Sequence, residues 1–296
     1  MVVESSPQIA LAEHQTLLGQ AARRFLHHRL AIVGGMILVV IVLGAIFAPI
    51  IAPQDPTFID LAIVRAPPSA QHILGGDLSG RDVWSQVVYG TRTSLEVGFG
   101  AVAVFMLIGT AVGLAAGLFG GWVDLVVMRL TEIVLSIPTL LLIIVVVSMI
   151  GPSLTSVIAV IGLLGWPGAA RIVRGQLLSL REAEFVTAAR VVGVRDRHIL
   201  FGHLLPNVLT PLTVVATFGV ANAILLEAAL SFLGLGVQPP TPSLGQMINA
   251  AQSPTVLRDL PWIWVPPGVV IALTVLAVNF VGDGLRDALD PRSVSR

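Results

Sequence analysis

Long apolar runs alternate with short polar ones along the whole chain. A helix needs about 20 mainly apolar residues to cross roughly 30 Å of hydrocarbon, and six stretches reach that length. The first covers Leu30 to Ala52, with no formal charge between Arg29 and Asp55, and the second covers Val97 to Phe119. The uncharged run from Ile133 to Ala170 is too long for one crossing, and Gly151-Pro152 divides it into two. The fifth span covers Val208 to Leu230 and the sixth Trp262 to Val281. The pattern predicts an all-α integral membrane protein with six transmembrane helices.

The polar intervals differ in kind. Arg171 to Pro206 is rich in arginine and keeps a helical periodicity: Phe185, Ala188, Ala189 and Val192 fall at i, i+3, i+4 and i+7, one face of a helix. Arg181, Glu182, Glu184 and Arg190 lie largely elsewhere around it. The two alanines allow another helix or a protein surface to come close. Gly193 is placed to end this helix in a left-handed turn, Asp196 to cap a second short helix from Arg197 to Leu204, and Pro206 to close the segment. Two readings stay open, a docking site for a partner and an amphipathic helix lying on the lipid surface.

Pro53 to Arg92 is rich in Pro, Gly and Asp, and predicts a short interfacial helix from Gly80 to Tyr89 with Val83, Val87 and Val88 on one side. Gly234 to Pro261 carries Gln238-Pro239-Pro240-Thr241-Pro242 and then a helix containing Met247 and Ile248. These loops either meet an extracytoplasmic partner or cap the bundle.

Composition agrees with a bilayer as solvent: 55% of the 296 residues are hydrophobic and 11% charged, where a soluble domain carries roughly a quarter charged residues. The net charge of zero argues against a nucleic-acid partner. With no cysteine, disulfides and thiolate metal sites are excluded. All seventeen basic residues are arginine, so the lysine-dependent phosphate loop is absent and any ATP used must be bound on another chain.

Arginine placement orients the spans. With the N-terminus in the cytoplasm, thirteen arginines fall on inner segments, and four, Arg65, Arg81, Arg92 and Arg258, on outer ones. Both termini and the Arg171–Pro206 loop are therefore expected on the cytoplasmic side of the cell's inner membrane. The first span exceeds the apolar core of about 7–15 residues of a cleaved signal. Arg23-Arg24 reads as an anchor at the headgroups rather than a twin-arginine export signal.

Some residues within the spans bear on mechanism. Gly109, Gly113 and Gly117, at spacing four, form a small-residue ladder for close helix packing. Glu227 is a carboxylate at membrane depth, with Asn222 just over one turn before it and Thr217 earlier in the same span. A charge there costs about 2.5–3.5 kcal/mol on insertion scales, so Glu227 faces a translocation path, a gate or a structural hydrogen-bond partner. Thr210 and Thr213 are expected to bond to their own helix. The histidines have no metal-ligand spacing, and no catalytic grouping or cofactor site stands out. Catalysis by this chain alone is not expected.

At these residues a resemblance becomes specific. The loop resembles the cytoplasmic signature of permease subunits from binding-protein-dependent ABC importers: E-A-A, three residues, Gly, nine residues, Ile, one residue, Leu-Pro. Ala188, Ala189, Gly193, Leu205 and Pro206 match at that spacing, while Thr187 stands in place of the Glu and His203 in place of the Ile. Leu74–Val83, Tyr89–Leu95, Glu227–Gly236 and Gly282–Pro291 are similar to the peptide and nickel importer family, and in particular to its second, C-type permease subunit. The position after Pro242-Ser243, aromatic in that family, is Leu244. The similarity runs from about Arg23 to Pro291.

The resemblance implies a type I ABC importer permease fold with a cytoplasmic coupling helix. Residues 1–90 would form an N-terminal tail, first span and outer loop, and 91–296 a core permease domain. The coupling segment would use Glu184, Phe185, Thr187, Ala188, Ala189, Arg190, Gly193, Asp196, Leu205 and Pro206 against a cytoplasmic ATPase subunit. A homologous permease would complete the path as a heterodimer, and an extracytoplasmic substrate-binding protein would deliver di- or oligopeptides. Nickel, glutathione and other small solutes stay open as cargo. An autonomous proton-coupled transporter, with Glu227 as its one deep carboxylate, is the reading from a different class.

Overall fold

The computed structural model describes residues 23–289. The tail at 1–22 and the C-terminal residues from 290 onward, including Pro291, Arg292 and Arg296, lie outside the described residues, as do the side chains of Arg190, Asp196, Arg197 and His203. In chain order the helices are α1 (Arg29–Ile46), α2 (Ala48–Ile51), α3 (Val83–Phe119), α4 (Gly121–Ser136), α5 (Thr139–Ile150) and α6 (Leu154–Arg181). There follow α7 (Glu184–Val191), α8 (Asp196–Ile199), α9 (Leu205–Phe232), α10 (Leu244–Asn249), α11 (Pro254–Asp259) and α12 (Pro261–Leu289). Among the described residues there are no strands, and α1, α3, α6, α9 and α12 are each long and apolar enough to cross a membrane. The chain is a multi-pass, all-α membrane protein.

Several spans depart from the sequence pattern. The second starts at Val83, not Val97, and forms one helix of 37 residues that absorbs the expected interfacial helix at Gly80–Tyr89. The polar stretch at its start does not break the helix, because its hydroxyls find partners. Thr91 Oγ1 donates to Val87 O at 2.7 Å, and Thr93 Oγ1 to Tyr89 O at 3.2 Å. Asp82 caps the N-terminus, accepting the Ser85 N–H at 2.8 Å. At 1.5 Å per residue this helix is about 55 Å long, well beyond the hydrocarbon.

The third span is not a straight helix from Ile133. It is the pair α4 and α5, bent by 89° at their junction. Pro138 is the cause: the residue before a proline is pushed out of the helical region, and Ile137 is extended, at φ −100° and ψ 133°. The expected break between spans three and four does fall at Gly151, whose φ of +92° suits glycine.

The fourth span runs on to Arg181, so the first part of the arginine-rich interval is helix rather than loop. The second short helix of that interval is shorter than expected: α8 ends at Ile199 and a π-helical turn, Leu200–Leu204, leads straight into α9. The first span is kinked at Phe47, and the sixth extends to Leu289.

α3 and α6 lie side by side and run parallel, through the glycine ladder. A Cβ built on Gly109 would stand 2.6 Å from Ala169 Cβ, one on Gly113 2.6 Å from Ala170 O, and one on Gly117 2.7 Å from Leu177 Cδ2. At Gly109 and Gly113 the obstructing atoms are backbone or Cβ and leave no room for a side chain, so glycine sets the helix separation there. Parallel neighbours need a return between them, which the bent pair α4–α5 supplies. α9 packs antiparallel on α3, with Gly98 against Ile224 and Gly219 against Phe105. α12 packs antiparallel on α1, with Gly34 against Phe280 and Gly284 against Ala31. The core between these helices centres on Leu95, Val102, Phe105, Val220, Ile224 and Val278.

Gln176, Leu180, Asn207, Arg286 and Leu289 line one cavity. The ends of α6 and α12 and the start of α9 therefore meet at one end of the bundle, the end that carries α7.

Candidate functional site

α7 sits outside the spans on a mount built by its neighbours. Val186 is fully buried among Leu177, Ile199 and Leu204, with Ala183, Ala189 and Val194 packed around them. The inward stripe is thus Ala183, Val186 and Ala189, at i, i+3 and i+6. The periodicity reading places Phe185, Ala188, Ala189 and Val192 on the packing face; in this chain Ala189 alone of those four is half-buried. Phe185 is 45% exposed and Val191 and Val192 each 82%, and Ala188 and Thr187 are also exposed. The helix is apolar on two sides, and hydrophobic spacing cannot tell which side its own chain covers.

Gly193 ends α7 in the left-handed region, at φ +80°. Val192 N–H donates to Ala188 O at 3.1 Å and Val194 N–H to Ala189 O at 3.0 Å, so the turn satisfies two carbonyls of the helix's last turn. Nothing lies within 4 Å of a Cβ built at Gly193. Backbone geometry, not crowding, asks for glycine there. Leu205 opens α9 and Pro206 stands in its first turn, where the missing N–H is harmless.

Two arginines tie the mount to the transmembrane helices. Arg174 on α6 donates through Nε and Nη2 to both carboxylate oxygens of Asp124 on α4. Arg181 Nη1 donates to Gly117 O at 2.8 Å, reaching the last turn of α3. Arg181 neutralises one of the carbonyls that a helix C-terminus leaves unpaired. Neither tether is evident in the sequence, since Asp124 and Arg174 are separated by fifty positions.

Glu227 is fully buried in α9. Ser94 Oγ on α3 donates to its Oε2 at 3.0 Å, and Ser231 Oγ, one turn on, donates to its Oε1 at 2.7 Å. Ser231 Oγ in turn accepts from Ser243 Oγ and from the Val237 N–H, each at 3.3 Å. The carboxylate therefore joins α3, α9 and the loop leading to α10. Of these partners only Ser231 had a legible signal, the i+4 spacing.

Glu227, Asn222 and Thr217 do not converge. Asn222 is exposed, and lines a cavity of about 310 Å³ with Phe105, Thr139, Ile161, Gly165 and Phe218. Thr217 bonds back to Thr213 O at 2.8 Å, and its methyl lies toward Gly282 of α12.

At the opposite end of the bundle, the loop between α2 and α3 is tightly folded. His72 Nδ1 pairs with the buried Asp82 at 3.0 Å. Gly75, Gly76 and Gly80 bring their backbones against the carbonyls of Ala66, Ile63 and Asp60, where no Cβ fits.

Comparison with known proteins places these features among transport proteins. A family model described as the binding-protein-dependent transport system inner membrane component matches residues 109–295. A second, described as the N-terminal TM domain of oligopeptide transport permease C, matches residues 16–68. A putative peptide permease protein of Brucella ovis is 45% identical over 276 residues, 93% of this chain and 91% of the relative. A dipeptide transport system permease protein of Alkalihalophilus pseudofirmus is 42% identical, over 93% of this chain and 90% of the relative. A glutathione transport system permease protein of Pectobacterium atrosepticum is 40% identical, over 91% of this chain and 89% of the relative.

Proposed function

We propose a function from one premise: this chain belongs to the family of binding-protein-dependent transport system inner membrane components. It is a permease subunit of an ATP-driven importer for di- and oligopeptides. It provides half of a translocation path, and pairs with a homologous permease in a heterodimer. The relatives named for peptides, dipeptides and glutathione support this substrate class. The chain itself is not an enzyme, and ATP is hydrolysed on separate subunits.

The observation that carries the coupling role is the exposed apolar side of α7. Ala188, Val191 and Val192 are exposed on a helix whose other side is packed into a mount. Such a surface suits a cleft on a partner. α7 is the coupling helix, seated on a cytoplasmic ATPase. The end of the bundle that carries it, with both described chain ends, faces the cytoplasm of a cell whose inner membrane holds the protein. The opposite end receives an extracytoplasmic binding protein. The core permease function resides in 91–296, with 1–90 as an N-terminal portion; the division is functional, since α3 runs through it.

Energetics favour this division of labour. Shifting a two-state transporter from 1:99 to 99:1 takes about 5.5 kcal/mol of differential binding. ATP bound at a docked partner can supply it, and Arg174, Arg181 and the parallel α3–α6 pair offer a stiff route from α7 into the membrane.

The test is a gentle-detergent purification of the tagged chain from its native membrane, followed by uptake of labelled dipeptide in a strain lacking it. Recovery of a second multispanning protein and ATPase subunits, with uptake lost in the deletion, is the expected result. A chain that associates with no ATPase, even after crosslinking, sinks the reading.

A further inference from the structure

α3, α5, α6 and α9 frame the cavity of about 310 Å³ that Asn222 lines. Its polar side chains are Thr139 and Asn222, its other walls include Phe105, Gly168 and Phe218, and no charged residue lines it among the described residues. Asn222 stands about 26 Å along α9 from Leu205 and about 15 Å before Phe232, at 1.5 Å per residue, so it lies deep within the span. Thr139 opens α5, directly after the 89° break at Ile137-Pro138. A Cβ at Gly168 would meet nothing within 4 Å. No packing contact asks for glycine there, and its missing side chain widens the cavity.

Thr139 and Asn222 are both exposed, and neither has a hydrogen-bond partner among the described residues. An unpaired amide facing hydrocarbon is costly. The break before Thr139 makes the same demand. Non-helical backbone persists at membrane depth only where protein buries it or where it lines a water-filled cavity, and this chain leaves Ile137 and Pro138 exposed. The volume is ample for water, one molecule of which needs about 10–15 Å³. An open amide, an open hydroxyl and a helix break thus share one concave surface and call for water at mid-span. Glu227, the carboxylate of α9, is kept away from it: both its oxygens are held by Ser94 and Ser231, and it is not among the lining residues.

We infer that Asn222 and Thr139 form this chain's wall of the translocation path, and that the wall is neutral so that peptides pass whatever the charge on their side chains. The inference rests on the peptide-import reading. A fixed charge at this depth would hold peptides of opposite sign and turn back those of like sign, whereas transit needs contacts weak enough to release. An amide and a hydroxyl can meet a passing peptide group as donor or as acceptor. The wall needs no affinity of its own, since the binding protein selects the cargo and delivers it.

The chain contains no cysteine, so Asn222→Cys places a single thiol in it. The experiment uses the complete transporter in proteoliposomes, its other subunits freed of cysteine, turning over with ATP and with binding protein saturated by peptide. The variant is treated with a cationic trimethylammonium-ethyl or an anionic sulfonatoethyl methanethiosulfonate. Uptake of alanyl-alanine, alanyl-lysine and alanyl-glutamate is then compared. The cationic adduct is expected to lower the ratio of alanyl-lysine to alanyl-glutamate uptake about tenfold and the anionic adduct to raise it about tenfold, as a unit charge acting across about 10 Å of interior would imply. Thr139→Cys should shift the ratio in the same directions. Without reagent, both variants should keep the ratio of the unaltered chain.

A thiol that neither reagent reaches would overturn the wall, because Asn222 would then face lipid or a dry subunit contact. Adducts of either sign that slow all three peptides equally, or that slow none, would overturn it as well. Proteoliposomes of the unaltered transporter that import none of the three peptides would defeat the peptide-import reading itself, and the untreated complex tells that failure apart from the others.

Discussion

Arg174 grips both carboxylate oxygens of Asp124 through a two-pronged guanidinium contact, locking α6 to the first turn of α4. The pair lies beside the glycine ladder, between the α6 residues Ala170 and Leu177 that Gly113 and Gly117 of α3 contact. It therefore stiffens the end of the bundle from which α7 projects. A bidentate, half-buried pair of this kind exceeds an exposed salt bridge in strength.

Asp124→Asn should leave membrane insertion intact and lower stability by about 1–3 kcal/mol. Combined with Arg174→Gln, it should show non-additive effects in a double-mutant cycle read by thermal unfolding in detergent. Strict additivity would mean that the fork contributes nothing.

Val186 and Val192 should separate folding from docking. Val192→Asp changes a residue that its own chain leaves 82% exposed, so the chain should fold and insert normally while losing ATPase subunits on purification. Val186→Asp puts an unpaired charge into a fully buried position and should destabilise the mount by several kcal/mol. A Val192→Asp complex that retains its ATPases would remove α7 from the coupling role.

Gly193 needs φ near +80°, which proline cannot adopt. Gly193→Pro should abolish transport while insertion persists. Gly193→Asn, which tolerates the left-handed region, should retain most activity, and Gly193→Val should resemble the proline variant. Normal uptake by Gly193→Pro would show that the turn is dispensable.

Glu227 divides the path reading from the structural one. With both oxygens engaged by Ser94 and Ser231, Glu227→Gln should keep one acceptor and much of the activity. Glu227→Ala leaves two serine hydroxyls unsatisfied, costs about 2–3 kcal/mol or more, and should lower the yield of assembled complex. If Glu227→Gln assembles fully but loses transport, the carboxylate acts in the path or gate.

Gly113→Val is the test of the ladder. A Cβ there meets Ala170 O at 2.6 Å and Val173 Cβ at 2.7 Å, so the helices must part and the chain should fail to accumulate. Accumulation at wild-type level would show that α3 and α6 can separate without penalty.

The existence of the long apolar spans, the ladder on α3 and the chain reversal at Gly193 follow from composition and local spacing. Each depends on residues within a few positions of one another, and lipid enforces helix wherever an apolar run must cross it. Local hydropathy fails where polar side chains satisfy themselves: Thr91 and Thr93 bond to their own helix, and α3 begins fourteen residues before its apolar run. The effect of Pro138 was present in the sequence but masked by the apolar residues around it.

Tertiary structure alone decided the remainder. Which apolar stripe of α7 is buried depends on Leu177, Ile199 and Leu204 arriving beneath Val186. The environment of Glu227 depends on Ser94, 133 positions away, and the anchoring of α6 on Asp124, fifty positions from Arg174. Such pairs leave no trace in spacing, because chain distance and spatial distance are unrelated once helices pack.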